Sequence, residues 1–360
     1  MRIRTVSLIA LLALVAASCG GEAGATTSSS PQETTTTVPA VEAMVLSYSL
    51  EAGTTYQYEV DLNQSIDLTS TGDTAALGED DVPGEATINI QGTSVFTYTV
   101  SEGPEPGTFE IGIVGDFSGL EFSGTVDGES VDSSEIPEMA EMEPVDVTIV
   151  VDEQGNVIPD DSSGLGEDFL GGLGGLDMLD QLGAAAGTGQ FVGPPLSEDE
   201  VTVGDTWSET IEVPTMPNAD PVTTRVESEV VATDTVDGSE VFVIETTSTT
   251  GAVEFDLAEF LIGFMSSFMA EEATDEERAE LDEMIDDLRF AFSIDETVAE
   301  MTSWFDFEAG LTRQAEFASD THMVMDINIP DETTGEMVEF AMDMNLSQEI
   351  THRLTGSDSN

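Results

Sequence analysis

The sequence contains no lysine, and seven arginines stand against 74 Asp and Glu, for a formal net charge of −67 over 360 residues. A chain so poor in positive charge has no basic footprint for nucleic acid. It also repels anionic headgroups, so its body is expected to stand off a membrane surface. Cys19 is the only cysteine, which excludes an intrachain disulfide. His322 and His352 are the only histidines, which excludes a zinc site of the usual nitrogen and sulfur kind. Each lies in or beside strand-like sequence and is expected at the surface. No G-x-S-x-G, H-E-x-x-H, Walker loop or D-x-[DN]-x-[DN]-G calcium loop occurs. The glycine-rich run Leu170 to Leu176 lacks G-x-G-x-x-G spacing and follows no predicted strand. Paired carboxylates could in principle cleave glycosides, but among 74 acids no pair stands out. The chain is therefore expected to be no enzyme, with no catalytic residue, metal site or cofactor, and with divalent cations only diffusely around it.

What is present begins with an export signal. Arg2 and Arg4 precede an apolar run from Val6 to Ala17, and small residues follow at Ala16-Ala17-Ser18. Positive start, short apolar core and small-residue cleavage site are the parts of a secretory signal. The run is too short for a membrane span, which needs roughly 20 residues. Val15-Ala16-Ala17-Ser18-Cys19 resembles the bacterial lipobox, although Ala16 stands where that motif prefers Leu. The resemblance implies diacylglycerol attachment at Cys19 and a place on the outer face of the cell membrane. Residues 1–18 are thus expected as signal peptide and 19–43 as a lipidated flexible tether, rich in Thr, Ser and Pro. Such a linker reaches roughly 25 Å.

Beyond the tether, 39% apolar residues, including 17 Phe and 15 Met, can build a sizeable core. Alternation of period two dominates: Tyr56, Tyr58, Val60, Leu62; Phe96, Tyr98, Val100; Phe109, Ile111, Ile113; Met323, Met325, Ile327, Ile329; and Val338, Phe340, Met342, Met344, Leu346. That pattern predicts half-buried antiparallel strands. Leu257, Phe260, Leu261, Phe264, Met265, Phe268 and Met269 instead recur at helical spacing. Thr274 to Glu277 reads as a capping box opening a second helix. The expected fold is therefore mainly antiparallel β with inserted helices (α+β).

Two short matches suggest a duplicated curved sheet or half-barrel. Gly53-Thr54-Thr55-Tyr56 parallels Gly204-Asp205-Thr206-Trp207, and the turn after Val151 parallels the turn after Phe305. The expected halves are residues 44–196 and 197–355, the second with a helical insertion at about 256–288, and residues 356–360 as a disordered tail. Val201-Thr202-Val203-Gly204-Asp205-Thr206-Trp207, preceded by Pro195-Leu196, resembles a segment of a family of uncharacterised bacterial lipoproteins, as does Trp304 through Leu311. More loosely, the pattern is similar to envelope lipid-carrier lipoproteins, which wrap a curved sheet around helices and an apolar cavity.

The expected function is a structural or interaction role in the cell envelope, anchored by lipid. The alternative is a carrier for a lipid or other hydrophobic ligand, with Phe260, Phe264, Met265, Phe268, Met323, Met325 and Met342 lining an apolar pocket; methionine suits such adaptable surfaces.

The acidic excess generates one expectation directly. Like charges repel across the folded surface, and salt screens them. The melting temperature should rise from low to molar NaCl in a differential scanning experiment; a flat or falling trend contradicts this.

Overall fold

A computed structural model describes residues 43–72, 84–132, 145–158, 193–213, 222–256, 289–330 and 337–359. The first half holds β1 (Met44–Val45), β2 (Thr54–Gly72), β3 (Glu85–Glu102), β4 (Thr108–Asp116), β5 (Leu120–Val126), β6 (Glu129–Asp132), β7 (Val145–Asp152) and β8 (Val157–Ile158). The second holds β9 (Glu200–Val201), β10 (Thr206–Val213), β11 (Val222–Val236), β12 (Ser239–Thr250), β13 (Val253–Asp256), β14 (Arg289–Ile294), β15 (Thr297–Asp306), β16 (Leu311–Pro330) and β17 (Met337–Ser359).

The α+β expectation is corrected: every regular element among the described residues is a strand, and no helix occurs there. The physical reason is the length over which alternation persists. β16 runs 20 residues and β17 runs 23, so the apolar face of the sheet meets other parts of the same sheet. Of the insertion expected at 256–288, Asp256 ends β13 and the rest lies outside the described residues. The disordered tail expected at 356–360 is also corrected over residues 356–359. β17 pairs onward through Gly356 opposite Gln57 to Ser359 opposite Thr54, because β2 offers its edge over that whole length.

The sheet has 15 strands, with the path β10-β11-β12-β15-β16-β17-β2-β3-β4-β7-β8. It is open and antiparallel throughout, with β10 and β8 at its ends. Five strands in each half follow one order, β2-β3-β4-β7-β8 and β10-β11-β12-β15-β16, and β17 joins the two sets by pairing with β16 and β2. Local bonds repeat as well. The Gly53 amide donates to the Val100 carbonyl at 2.8 Å, and the Gly204 amide to the Val230 carbonyl at 2.7 Å. The Gly155 amide donates to the Asp152 carbonyl at 3.1 Å, and the Gly310 amide to the Asp306 carbonyl at 2.8 Å.

Alternation divides each long strand into an acidic outer face and a buried inner one. On β2, Tyr56, Tyr58, Val60, Gln64, Ile66 and Leu68 are buried while Glu59, Asp61 and Asp67 are exposed. The inner side chains form two cores. The first gathers Tyr56, Phe96 and Ile149 from one half with Val230, Phe242 and Phe305 from the other, so the sheet curls until its two wings touch. The second lies farther along the strands and includes Ile66, Ile88, Phe122, Ile294, Met323 and Leu346. Between them runs a polar band. Gln64 and Gln348 stand opposite each other on β2 and β17, both buried. The Thr224–Thr250 and Ser228–Thr246 hydroxyl pairs each close at 3.0 Å.

The first-core end is closed by chain segments that precede each half. β1 pairs with β9. The Tyr48 amide donates to the Glu153 carbonyl at 2.7 Å and the Ser49 amide to the Gly310 carbonyl at 2.9 Å, so one segment ties the two equivalent turns together. The carboxyl of Glu209 on β10 is pushed up by burial, then by Asp152 and Glu198.

Gly92 marks where β3 changes neighbours, from β5 before it to β4 beyond Val95. Its φ is +145°, and an added Cβ would sit 2.3 Å from the Gly119 carbonyl oxygen. Gly92→Ala should therefore cost at least about 2 kcal/mol in urea unfolding, from backbone strain plus a clash with rigid main chain. An unchanged midpoint contradicts that.

Candidate functional site

Aromatic chemistry is concentrated at the closed end. The chain has four tyrosines, and all four, Tyr48, Tyr56, Tyr58 and Tyr98, are buried there. Period-two alternation turns Tyr56 and Tyr58 inward together, and register sets Tyr98 opposite Tyr56. His352 on β17 stands opposite Val60, diagonal to Tyr58. Its ring stacks on Tyr58 with centroids 4.1 Å apart, and Nε2 is hydrogen bonded to the Tyr98 hydroxyl at 3.2 Å. The Tyr58 hydroxyl donates to the Thr312 carbonyl at 3.1 Å and the Tyr48 hydroxyl to the Pro194 carbonyl at 3.0 Å.

Burial sets the protonation of this cluster. It pushes all four phenols above their ordinary value and pushes His352 down to about 3. A general base works best with a pKa near the operating pH; this imidazole is a neutral ring locked in a stack. Tyr48, Tyr56, Tyr58, Tyr98 and Thr312 line a cavity of about 10 Å³, room for one water. The Thr312 Oγ1 is buried there without a hydrogen-bond partner among the described residues.

An ion pair braces the adjoining turn. Asp306 is 2% exposed, and its Oδ2 accepts from Arg313 Nε at 3.0 Å and Nη2 at 2.8 Å. Its Oδ1 accepts from the Glu308 and Ala309 amides at 3.1 and 2.8 Å. Burial pushes this carboxyl up, but the Ala309 amide, Arg313 and Ser239 outweigh it and hold it below the usual range. Asp152 caps the equivalent turn through the Gln154 and Asn156 amides at 2.9 and 2.8 Å, without an arginine partner in those bonds.

At the opposite end, Thr71, Gly72, Asp326, Asn328, Glu339 and Phe340 line a wide cavity of about 480 Å³. Nearby, on the outer face, His322 is held between two carboxylates, Nδ1 at 2.7 Å from Asp295 and Nε2 at 3.3 Å from Asp343. The Asp295 bond, then Asp343, raise its pKa against the opposing effect of partial burial.

Of the residues expected to line an apolar pocket, Met323 is buried in the second core, and Met342 packs against it. Met325 is half-buried opposite Met342. The fold thus brings these three together. Phe260, Phe264, Met265, Phe268 and Cys19, the residue expected to carry lipid, lie outside the described residues. The surface expectation for His352 is corrected: it is 4% exposed. Its signal lay in continued alternation through Leu346, Gln348, Ile350 and His352, where polar residue types disguised an inward face. His322 is half-buried rather than fully exposed, because two strands flank it. No group of three His, Cys, Asp or Glu placed to hold a metal occurs among the described residues.

No protein-family model and no curated protein matches the chain. Among solved structures, an outer membrane channel from Pseudomonas putida F1 aligns over 86% of this chain and 97% of its own at 6% identity, with a TM-score of 0.20. Pseudomonas aeruginosa OpdQ aligns over 84% and 98% at 8% identity, with a TM-score of 0.13. At such scores these likenesses carry no argument about function.

The two histidines give stability opposite dependences on pH. His322 has a raised folded pKa, so its contribution is full below the unfolded value of about 6.5 and is lost as pH rises through the folded value. For His352, with its folded pKa near 3, the unfolded state binds the extra proton, so stability falls as pH drops from about 6.5. In urea unfolding, His322→Gln should lose more relative to wild type at pH 6 than at pH 9. His352→Phe should gain relative to wild type as pH falls from 7 to 5, whatever its offset at neutral pH. Curves parallel to wild type for both variants contradict these assignments.

Proposed function

We propose that this chain is a non-catalytic structural or interaction lipoprotein of the cell envelope, exported, lipidated at Cys19 and held on the extracytoplasmic face of the cell membrane. The supporting observation is the first core. Side chains from both wings of the sheet fill the space between them, and the cavity left among the tyrosines is about 10 Å³. Interior surface of that kind stabilises a shape; it does not receive a ligand. Contacts with other molecules then fall to the outer face and the strand ends. The outer face presents carboxylates in alternation, such as Glu59, Asp61 and Asp67 on β2, and gathers divalent cations diffusely.

A carrier for a lipid or other hydrophobic ligand is the second reading. It is favoured by half-buried Phe292, Met325 and Met342 beside the second core. Native mass spectrometry of the protein released from its own membrane separates the two. A scaffold gives the mass of the lipidated chain alone. A stoichiometric apolar adduct overturns the scaffold in favour of the carrier.

Anchoring has its own test. Cys19→Ala should abolish incorporation of a labelled fatty acid and release the protein from the membrane fraction. Equal label on wild type and variant sinks the proposed attachment.

A further inference from the structure

Methionine collects in the second core. Met323 and Met325 on β16 stand opposite Met344 and Met342 on β17. Alternate residues of a strand share a face, so the four side chains form a two-by-two block on the inner face. Directly opposed partners hold their Cβ atoms about 4.5–5.5 Å apart, and alternate residues along one strand are about 7 Å apart. Long unbranched thioether side chains cover both spans.

The block has a floor and a rim. Met323 and Met344 are 3% and 7% exposed, while Met325 and Met342 are half-buried. Ile294 and Phe292 on β14 stand opposite Met323 and Met325, and Leu68 on β2 opposite Met344. Apolar volume alone does not call for methionine at all four positions. Methionine is not among the favoured strand formers, and leucine fills much the same volume. The first core, built from Tyr, Phe, Ile, Val and Leu, has no buried methionine.

We propose that this block binds one soft monovalent cation, copper(I) or silver(I), through the sulfurs of Met323, Met325, Met342 and Met344. Thioether sulfur selects soft ions over the hard divalent cations that carboxylates attract. It carries no proton to lose, so binding persists in mildly acidic surroundings. The net charge of −67 raises the local concentration of any cation, and the half-buried pair leaves the ion a way in. The site is independent of the scaffold role, which neither requires it nor forbids it.

The test uses the chain carrying C19S, so that no thiol competes. Silver(I) is titrated against a chromophoric chelator and followed on ¹³C-labelled methionine methyls. One equivalent should shift the four methyl resonances of the block first. The variant M323L/M325L/M342L/M344L keeps the apolar volume and should lose affinity by at least about 100-fold while circular dichroism is retained. Should that variant fail to fold, M325L/M342L at the rim serves in its place, with a loss of at least about 10-fold expected. No binding by the parent, unchanged affinity in the variant, or first shifts at methionines elsewhere each overturn the proposal.

Discussion

Everything in this architecture depends on the ladder between β2 and β17. It joins a strand near the start of the folded chain to the last one, over the whole of β2. Without it the sheet falls into two pieces, β10-β11-β12-β15-β16-β17 and β2-β3-β4-β7-β8 with their side strands, each with a long open edge. The ladder costs a large loop closure, and antiparallel pairs of such sequence separation form slowly. In return, two incomplete sheets become one whose wings can fold onto a shared core. Gln64 and Gln348, opposed and buried at its middle, bear on register. A slip of one residue would turn this band outward and carry Asp or Glu into the interior.

Charge and burial are partitioned by the same alternation. Among the described residues most carboxylates occupy outer positions, Asp306 excepted, so that part of the acidic excess is solvated and open to screening. The few cationic or potentially cationic groups have distinct places: Arg313 braces the buried Asp306, His322 lies between Asp295 and Asp343, and His352 is neutral inside the aromatic stack. The closed end is rigid through bonds between turns. The second core is softer in composition, with methionine where the first has tyrosine.

The strands were legible because alternation is a local property: Tyr56 to Val60, Phe96 to Val100 and Met323 to Met325 each announce a face. The likeness of the Gly53 and Gly204 turns, each of which donates its glycine amide to a strand carbonyl, was legible too, since turn chemistry is short-range. Pairing of β17 with β2 was not, because no local feature of either strand names a partner nearly 300 residues away. Burial of Gln64, Gln348 and His352 was hidden for a different reason, as polar residue types interrupt an apolar pattern without leaving its face. Alternation also placed Met323, Met325, Met342 and Met344 on inward faces. Register adds that the four turned inward on neighbouring strands stand in direct pairs, Met323 with Met344 and Met325 with Met342.

The position of β17 between the wings also bears on biogenesis. Synthesis delivers β2 early, and its edge then has no partner from the second half until the final strand has been made. Through that interval a long unpaired edge is exposed, a template for association with other chains. Dense outward carboxylates along β2, such as Glu59, Asp61 and Asp67, work against such association. A chain truncated before β17 would expose the edges of both β2 and β16 at once, so one strand caps two edges that would otherwise invite association.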